Sequence, residues 1–296
     1  MKKTASSGDR IYLGICYTLL AVAVLICLYP LIYVVSVSIS DHREVLKNSI
    51  WLLPKGFSLQ SYRAVFADRM IWRYTYNTVL YAVLGTFLST LVTVITAYPL
   101  SKPNFVLKTP FTIFMTITML FSGGMIPTYL LMRNLGLYDN IWAMIIPTVS
   151  CWNVILVKTY IHQNVHINVL ESAAMDGASD LRTLFQIVLP LSKPIIALIV
   201  MYSVVGYWNT YFNAMLYLPT QEKQTLQVYL MKVLTQNNQN VLSSAAARFS
   251  SDQLMMMPVK QLRQALIVVC SAPMLGLYAC LHKHFEKGIS IGSVKG

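Results

Sequence analysis

The chain has 296 residues, of which 56% are hydrophobic and 11% charged, and its formal net charge is +12. A soluble domain carries about a quarter charged residues, whereas six long, mainly apolar runs of this chain contain no Asp, Glu, Lys or Arg: 11–39, 74–101, 109–132, 140–157, 194–221 and 264–282. The shortest would rise about 27 Å as a helix, close to the hydrocarbon thickness of a bilayer, which excludes a soluble enzyme, a secreted disulfide module and a disordered regulator. An all-α polytopic membrane protein with six transmembrane helices is expected.

Residues 1–10 form a basic tail, with Lys2, Lys3 and Arg10 against Asp9. That bias places the amino terminus inside. The first run, 11–39, exceeds the apolar core of a signal peptide and lacks a small-residue cleavage signature, so it reads as a retained helix. Residues 40–73 follow as a mixed-charge extracytoplasmic segment with Trp51, Pro54, Gly56 and Trp72, aromatics and breakers suited to a membrane interface. The core, 74–283, contains spans at about 74–101, 109–132, 140–157, 194–218 and 264–282. Its second and third spans are joined by a tight turn from Ser101, with Lys102 and Lys108 and no acid. In this topology 11 Lys and Arg lie inside and 12 outside, so the total does not set the orientation. The basic residues are scattered and form no face, which argues against a nucleic-acid partner.

Ser122-Gly123-Gly124 and Pro127 predict a kink or unwound stretch in the third span; close helix packing and a lining of a transport route both account for it. Between the fourth and fifth spans lies a polar loop, 160–193, and residues 219–260 form another that carries Gln236 to Asn240. That second loop fits contact with an external partner and a solvated connector equally well. Residues 284–296 are a cytoplasmic tail. Cys16, Cys27, Cys151, Cys270 and Cys280 lie within apolar runs without metal-ligand spacing. His162 and His166 have no carboxylate beside them, so no metal site is expected.

The polar loop 160–193 has the most specific pattern. Glu171 to Ala174 favours helix, Asp176-Gly177 ends it, and Asp180 is placed to cap a second helix with Leu181, Leu184, Phe185 and Val188 on one side. Pro190 and Pro194 bracket entry to the fifth span. Helix, turn and helix on a membrane surface suit docking into a soluble partner. The segment resembles the EAA loop of bacterial ABC importer permeases: Glu-Ala-Ala, three residues, Gly, nine residues, Ile, one residue, Leu-Pro. Glu171, Ser172 and Ala173, then Gly177, Ile187, Leu189 and Pro190 match it, with Ser172 replacing the first Ala. Further similarity to the carbohydrate branch, which includes the maltose system, is carried by Ser58 to Tyr62, Asn77, Ala97-Tyr98, Ile126-Pro127, Leu135-Gly136-Leu137, Asp176-Gly177-Ala178, Trp208-Asn209 and the glycines from Gly288 to Gly296; the run Gly123 to Tyr129 looks most like oligosaccharide permeases common in Gram-positive bacteria.

The resemblance implies a type I ABC importer permease fold with a cytoplasmic EAA coupling helix, in a bacterial cytoplasmic membrane. It implies a heterodimer with a second homologous permease, two ATPase subunits and an extracytoplasmic solute-binding protein as partners. Glu171 would meet a basic group of the ATPase, Gly177 would permit the turn or a close approach, and Ala173 would leave room for partner side chains. No Gly-x-x-x-x-Gly-Lys-Ser/Thr loop is present, so the chain binds no cofactor of its own, and ATP and Mg belong to the partner ATPase. No catalytic residue is expected.

Carbohydrate is the expected cargo, an oligosaccharide by resemblance and a uronate-bearing glycan as the alternative. Aromatic faces with amides and hydroxyls bind sugars, and Tyr207, Trp208, Asn209, Tyr211 and Asn213 form such a set on the fifth span. The spacing of Asn209 and Asn213 predicts a shared helical face. Trp152 and Asn153 repeat the chemistry on the fourth. Hydrogen bonding to neighbouring helices explains the same residues. A secondary carrier would need a charged coupling site within a span, and an intramembrane enzyme a His-Glu-x-x-His or Gly-x-Ser-x-Gly motif; neither is present.

Overall fold

A computed structural model describes residues 7–146, 149–235 and 258–292. The polar run from Gln236 to Asn240, most of the 219–260 loop, Lys2, Lys3 and the last four residues lie outside these. The regular elements among the described residues are helices, joined by turns and irregular chain, apart from an isolated bridge between Ser40 and Phe57. The chain divides into two compact units, Met1–Ile71 with Lys232–Ala272 and Trp72–Met231 with Pro273–Gly296.

In the first unit, α1 (Ser7–Ser38) exposes apolar side chains all round from Ile11 to Leu31, as expected for a helix solvated by lipid. Its last turn meets α2 (His42–Leu46) through Val37, Val45 and Ile50. Asp41 caps α2, accepting from the Arg43 amide at 2.8 Å. Gly56 approaches so closely that a Cβ would sit 2.9 Å from that of Asp41. Ser61 on α3 (Gln60–Ala67) donates to the Ser38 carbonyl at 2.7 Å, and Gln261 donates to that of Ser40 at 2.6 Å.

α4 (Arg69–Ser101) follows the second apolar run. α5 (Lys108–Leu120) and α6 (Met125–Asn134) then meet at a bend of 115°, with Gly124 at φ 90° between them. The predicted break at Ser122 to Gly124 is therefore a sharp change of direction. The fourth apolar run does not form one helix. α7 (Trp142–Ile145) is four residues long, Ser150 is extended, and α8 (Cys151–Asn164) continues well past residue 157. The polar loop 160–193 carries α9 (Ile167–Met175) and α10 (Asp180–Leu191), and α11 (Lys193–Asn209) leaves α10 at 85°. α12 (Phe212–Tyr217), α13 (Leu226–Thr235) and α14 (Val259–Gly292) complete the order. Among the described residues three helices are long and apolar enough to cross a membrane, and up to five spans result if each bent pair counts as one.

A buried cluster in the second unit joins Val94, Ala97 and Leu100 of α4, Val154, Val157 and Ile161 of α8, Leu184 and Val188 of α10, and Ile195 and Ile199 of α11. This cluster holds α10 in place, with Leu170 of α9 packed against it.

Candidate functional site

α8 ends at Asn164, and α9 turns away after the extended residues Val165 and His166. His162 and His166 therefore do not share a helix. Leu170 packs against the buried cluster, while Glu171, Ser172 and Ala174 face outward and Met175 is 89% exposed. Ala173 is buried, 7% exposed, so its small side chain fits against its own protein and does not make room for a partner.

The end of α9 is a Schellman turn. The Gly177 amide donates to the Ala174 carbonyl at 3.0 Å, and the Ala178 amide to that of Ala173 at 2.9 Å. Gly177 sits at φ 73°, with no atom within 4 Å of where a Cβ would be. The turn conformation, and no crowding within the chain, requires glycine here.

Ser179 caps α10, in place of the expected Asp180: its hydroxyl accepts from the Arg182 amide at 3.3 Å. Asp180 instead uses its carboxylate to bind the Lys102 ammonium beyond the end of α4. Partial burial is the largest single influence and lowers the Lys102 pKa, but its interactions with Asp180 and Tyr98 together outweigh it and the net shift is upward. Lys102 drew notice in the sequence only for its charge. Its pairing with a residue 78 positions away has no local signal.

Pro190 has no N–H, and the preceding residues Leu184–Val188 form a π turn, with the Leu189 amide reaching the Leu184 carbonyl. The wider turn buries both Leu184 and Val188 while Leu181, Phe185 and Leu191 stay exposed. Ile187 and Leu189 are half-buried, Leu189 packing against the cluster; Asp176 and Pro190 are exposed. The segment thus presents a surface of acids, small residues and unpartnered apolar side chains on a rigidly held base.

About 25 Å along α11 from its start, by the helical rise, lie the sugar-type residues. Tyr207 and Trp208 are buried, and Asn209, Tyr211 and Asn213 are exposed. α11 stops at Asn209, Thr210 is extended at φ −70° and ψ 105°, and α12 begins at Phe212. The break removes the shared helical face expected for Asn209 and Asn213. Tyr207 donates to the Ile145 carbonyl at 3.3 Å and packs against Gly85, where a Cβ would lie 2.2 Å from its ring. On α8, Asn153 is buried and Trp152 is half exposed. A cavity of about 220 Å³ opens beside Tyr207, Thr210 and Asn213.

Above it the loop after α12 is clamped to α4. Asn77 donates to the carbonyls of Glu222 at 2.7 Å and Gln224 at 3.0 Å, and Tyr81 to that of Lys223 at 2.9 Å. Lys223 in turn binds Asp139 at 2.8 Å, and Thr220 donates to the same carboxylate at 2.8 Å. The hydrogen bond from Lys223 holds Asp139 below the usual carboxylate range. Asn77 stood in the sequence pattern; its partners, some 145 residues on, did not. Among the described residues, no group of three or more His, Cys, Asp or Glu could hold a metal.

Residues 76–291 match the family described as binding-protein-dependent transport system inner membrane component. The polygalacturonan/rhamnogalacturonan transport system permease protein YtcP of Bacillus subtilis is 38% identical over 97% of this chain and 99% of its own length. GanQ of the same organism, a galactooligosaccharides transport system permease protein, is 28% identical over 95% of this chain and 94% of its own. A chain in the crystal structure of a bacterial ABC transporter involved in the import of the acidic polysaccharide alginate superposes with a TM-score of 0.88. It is 35% identical, and the match covers 96% of this chain and 100% of that one.

Proposed function

Because the chain belongs to the binding-protein-dependent transport system inner membrane component family, we propose that it is the pathway subunit of an ATP-driven importer for oligosaccharides that contain uronate units. It is a permease and not an enzyme. The exposed α9–turn–α10 surface, anchored on three helices, is the observation that carries this reading, since it fits a cleft in a soluble motor. Glu171, Ser172, Asp176 and Gly177 form the contact face, and Ala173, Ile187, Leu189 and Pro190 shape the element behind it.

In this reading the chain has six spans with both tails in the cytoplasm, the 40–73 segment outside and loop 160–193 inside. It works beside a second, homologous permease, two ATPase subunits that bind ATP and Mg, and an extracytoplasmic binding protein that delivers the cargo. ATP-driven closure moves the coupling helices and switches the spans between inward- and outward-facing states; hydrolysis resets them. Tyr207, Trp208, Asn209, Tyr211, Asn213, Trp152 and Asn153 lie along or support the route. Uronate cargo is supported by two of the relatives above 30% identity, whose names specify polygalacturonan and alginate; the galactooligosaccharide relative supports a neutral cargo as the second reading.

The test is co-purification with an ATPase and a binding protein, followed by ATPase stimulation across neutral and uronate oligosaccharides, amino acids and peptides. Stimulation by uronate oligosaccharides is expected. Absence of any co-purifying ATPase overturns the reading, stimulation by peptides or amino acids alone removes the carbohydrate, and stimulation by neutral sugars alone removes the uronate.

A further inference from the structure

The cavity bounded by α6, α7, the end of α11 and α12 separates its chemistry by depth. Its floor is Met132, Ala143, Met144, Tyr207 and Tyr217, all buried, and its rim is Thr128, Thr210 and Asn213, exposed or half-buried. The Tyr217 ring stacks on that of Tyr129 at 6.3 Å, and Tyr129 meets Tyr138 edge-on at 6.0 Å, so the floor is backed by further aromatic packing. Tyr207 is fixed by Gly85 and the Ile145 carbonyl. At about 220 Å³ the space falls below the roughly 300 Å³ at which pockets for drug-sized ligands begin.

The rim groups have defined hydrogen-bonding roles. Thr128 donates its hydroxyl proton to the Gly124 carbonyl and Thr210 to that of Gly206, each at 2.8 Å. A hydroxyl has one proton, so both present only lone pairs to the cavity. The Asn213 amide makes no hydrogen bond to the described residues and offers two donors and an acceptor. Two acceptors and one bifunctional amide over an apolar and aromatic floor match a pyranose ring, with its C–H face down and its hydroxyls toward the rim. A carboxylate suits the set poorly, because it can accept only from Asn213 and meets lone pairs at both threonines.

We propose that this cavity is a subsite for a single sugar ring of the passing cargo, read through its hydroxyls, with any carboxylate directed out of the cavity. The proposal rests on carbohydrate import. It is tested in proteoliposomes containing the complete transporter with its binding protein, by initial uptake of an oligosaccharide that the parent complex imports. Asn213→Ala lowers uptake about fivefold, the ratio that one net hydrogen bond is worth. Thr210→Val, which keeps the shape and removes the lone pairs, lowers it severalfold, and Thr210→Ser restores it.

Unchanged uptake with both Asn213→Ala and Thr210→Val, while the parent imports sugar, overturns the subsite alone. Equal losses for Thr210→Val and Thr210→Ser also overturn it, because a variant that keeps the hydroxyl would then fare no better than one that lacks it. If Asn213→Ala fails to assemble, Asn213 is structural and loses its assigned role, and the Thr210 pair decides the cavity. A parent complex that imports no oligosaccharide removes carbohydrate import and the subsite together.

Discussion

Replacing Gly177 separates coupling from folding. Its φ of 73° lies in the left-handed region, where a side chain costs about 1–2 kcal/mol. Among the described residues no atom lies within 4 Å of the added Cβ, so they impose no steric cost. Set against a typical folding stability of about 5–15 kcal/mol, the strain leaves the protein folded and inserted. It does weaken the Schellman turn by roughly 5- to 30-fold relative to competing conformations. Gly177→Ala therefore reduces uptake by up to about that factor. Gly177→Asp abolishes it, since it also adds a fourth carboxylate beside Glu171, Asp176 and Asp180 on the contact face. Membrane fractionation, recovery of the ATPase with the tagged permease and initial uptake of cargo are measured together. Normal uptake by Gly177→Asp refutes the coupling assignment. Loss of Gly177→Ala from the membrane refutes the strain calculation, because the glycine would then be needed for folding.

The Lys102–Asp180 pair is partly solvated and worth about 0.2–1 kcal/mol, so Asp180→Ala reduces uptake by less than about fivefold and Asp180→Glu restores it; complete loss would show a larger role. Since the Lys102 pKa is raised, the pair contributes fully below the ordinary lysine value and is lost only as pH rises through the higher folded value. Uptake by the parent and by Asp180→Ala should then show the same pH dependence from pH 6 to 8. The depressed Asp139 carboxyl has the opposite sign: its tie to Lys223 is present above the ordinary aspartate value and is lost as pH falls through the lower folded one. Proteolysis of the loop after α12 should be unchanged down to pH 5, and an increase between pH 7 and 5 would contradict this. Asn77→Ala strands two loop carbonyls, costing about 1–3 kcal/mol, and should speed cleavage near Glu222; an unchanged rate refutes the clamp. Gly85→Ala forces the Tyr207 ring to move, an overpacking cost of about 1–3 kcal/mol, visible as a lower melting temperature in detergent. Gly85→Ala with an unchanged melting temperature would show that the ring yields freely.

What the sequence conveyed depended on how local the physics was. The apolar runs located α1, α4 and α11 because lipid solvation acts on every residue of a span. Gly123-Gly124 marked the bend before α6, and Asp176-Gly177 the turn after α9, because φ restrictions operate on single residues. The fourth run was read as one span because 140–157 is uniformly uncharged, yet charge counting is blind to the extended Ser150. Thr210 has no helix-breaking signature, so the division of α11 from α12 was hidden and with it the parting of Asn209 from Asn213. Ser179 took the cap expected of Asp180 because the Lys102 ammonium, distant in sequence, holds that carboxylate elsewhere.

These breaks have a mechanical consequence. Leu170, Leu184 and Val188 tie α9 and α10 to α4, α8 and α11 around one buried cluster, so the displacement of α9 that the proposed coupling requires would be carried by the nearby ends of those helices. Rigid transmission stops where the backbone does. α5 gives way to α6 at a 115° bend whose residues expose no clash to an added side chain at Gly123 or Gly124, and α11 gives way to α12 at Thr210. Thr128 and Met132 lie beyond the first break, Thr210 at the second, and Asn213 and Tyr217 beyond it; all line the same cavity. The polar rim thus stands on α6, beyond its bend from α5, and on the chain at and beyond the Thr210 break, while the Tyr207 side of the floor belongs to α11 itself. In the proposed cycle, movement of α11 relative to α6 would alter the cavity, which both line, whereas no residue of α6 belongs to the packed cluster. A weak, single-ring subsite in that position can be made and unmade within a transport cycle without unfolding the base on which the motor acts.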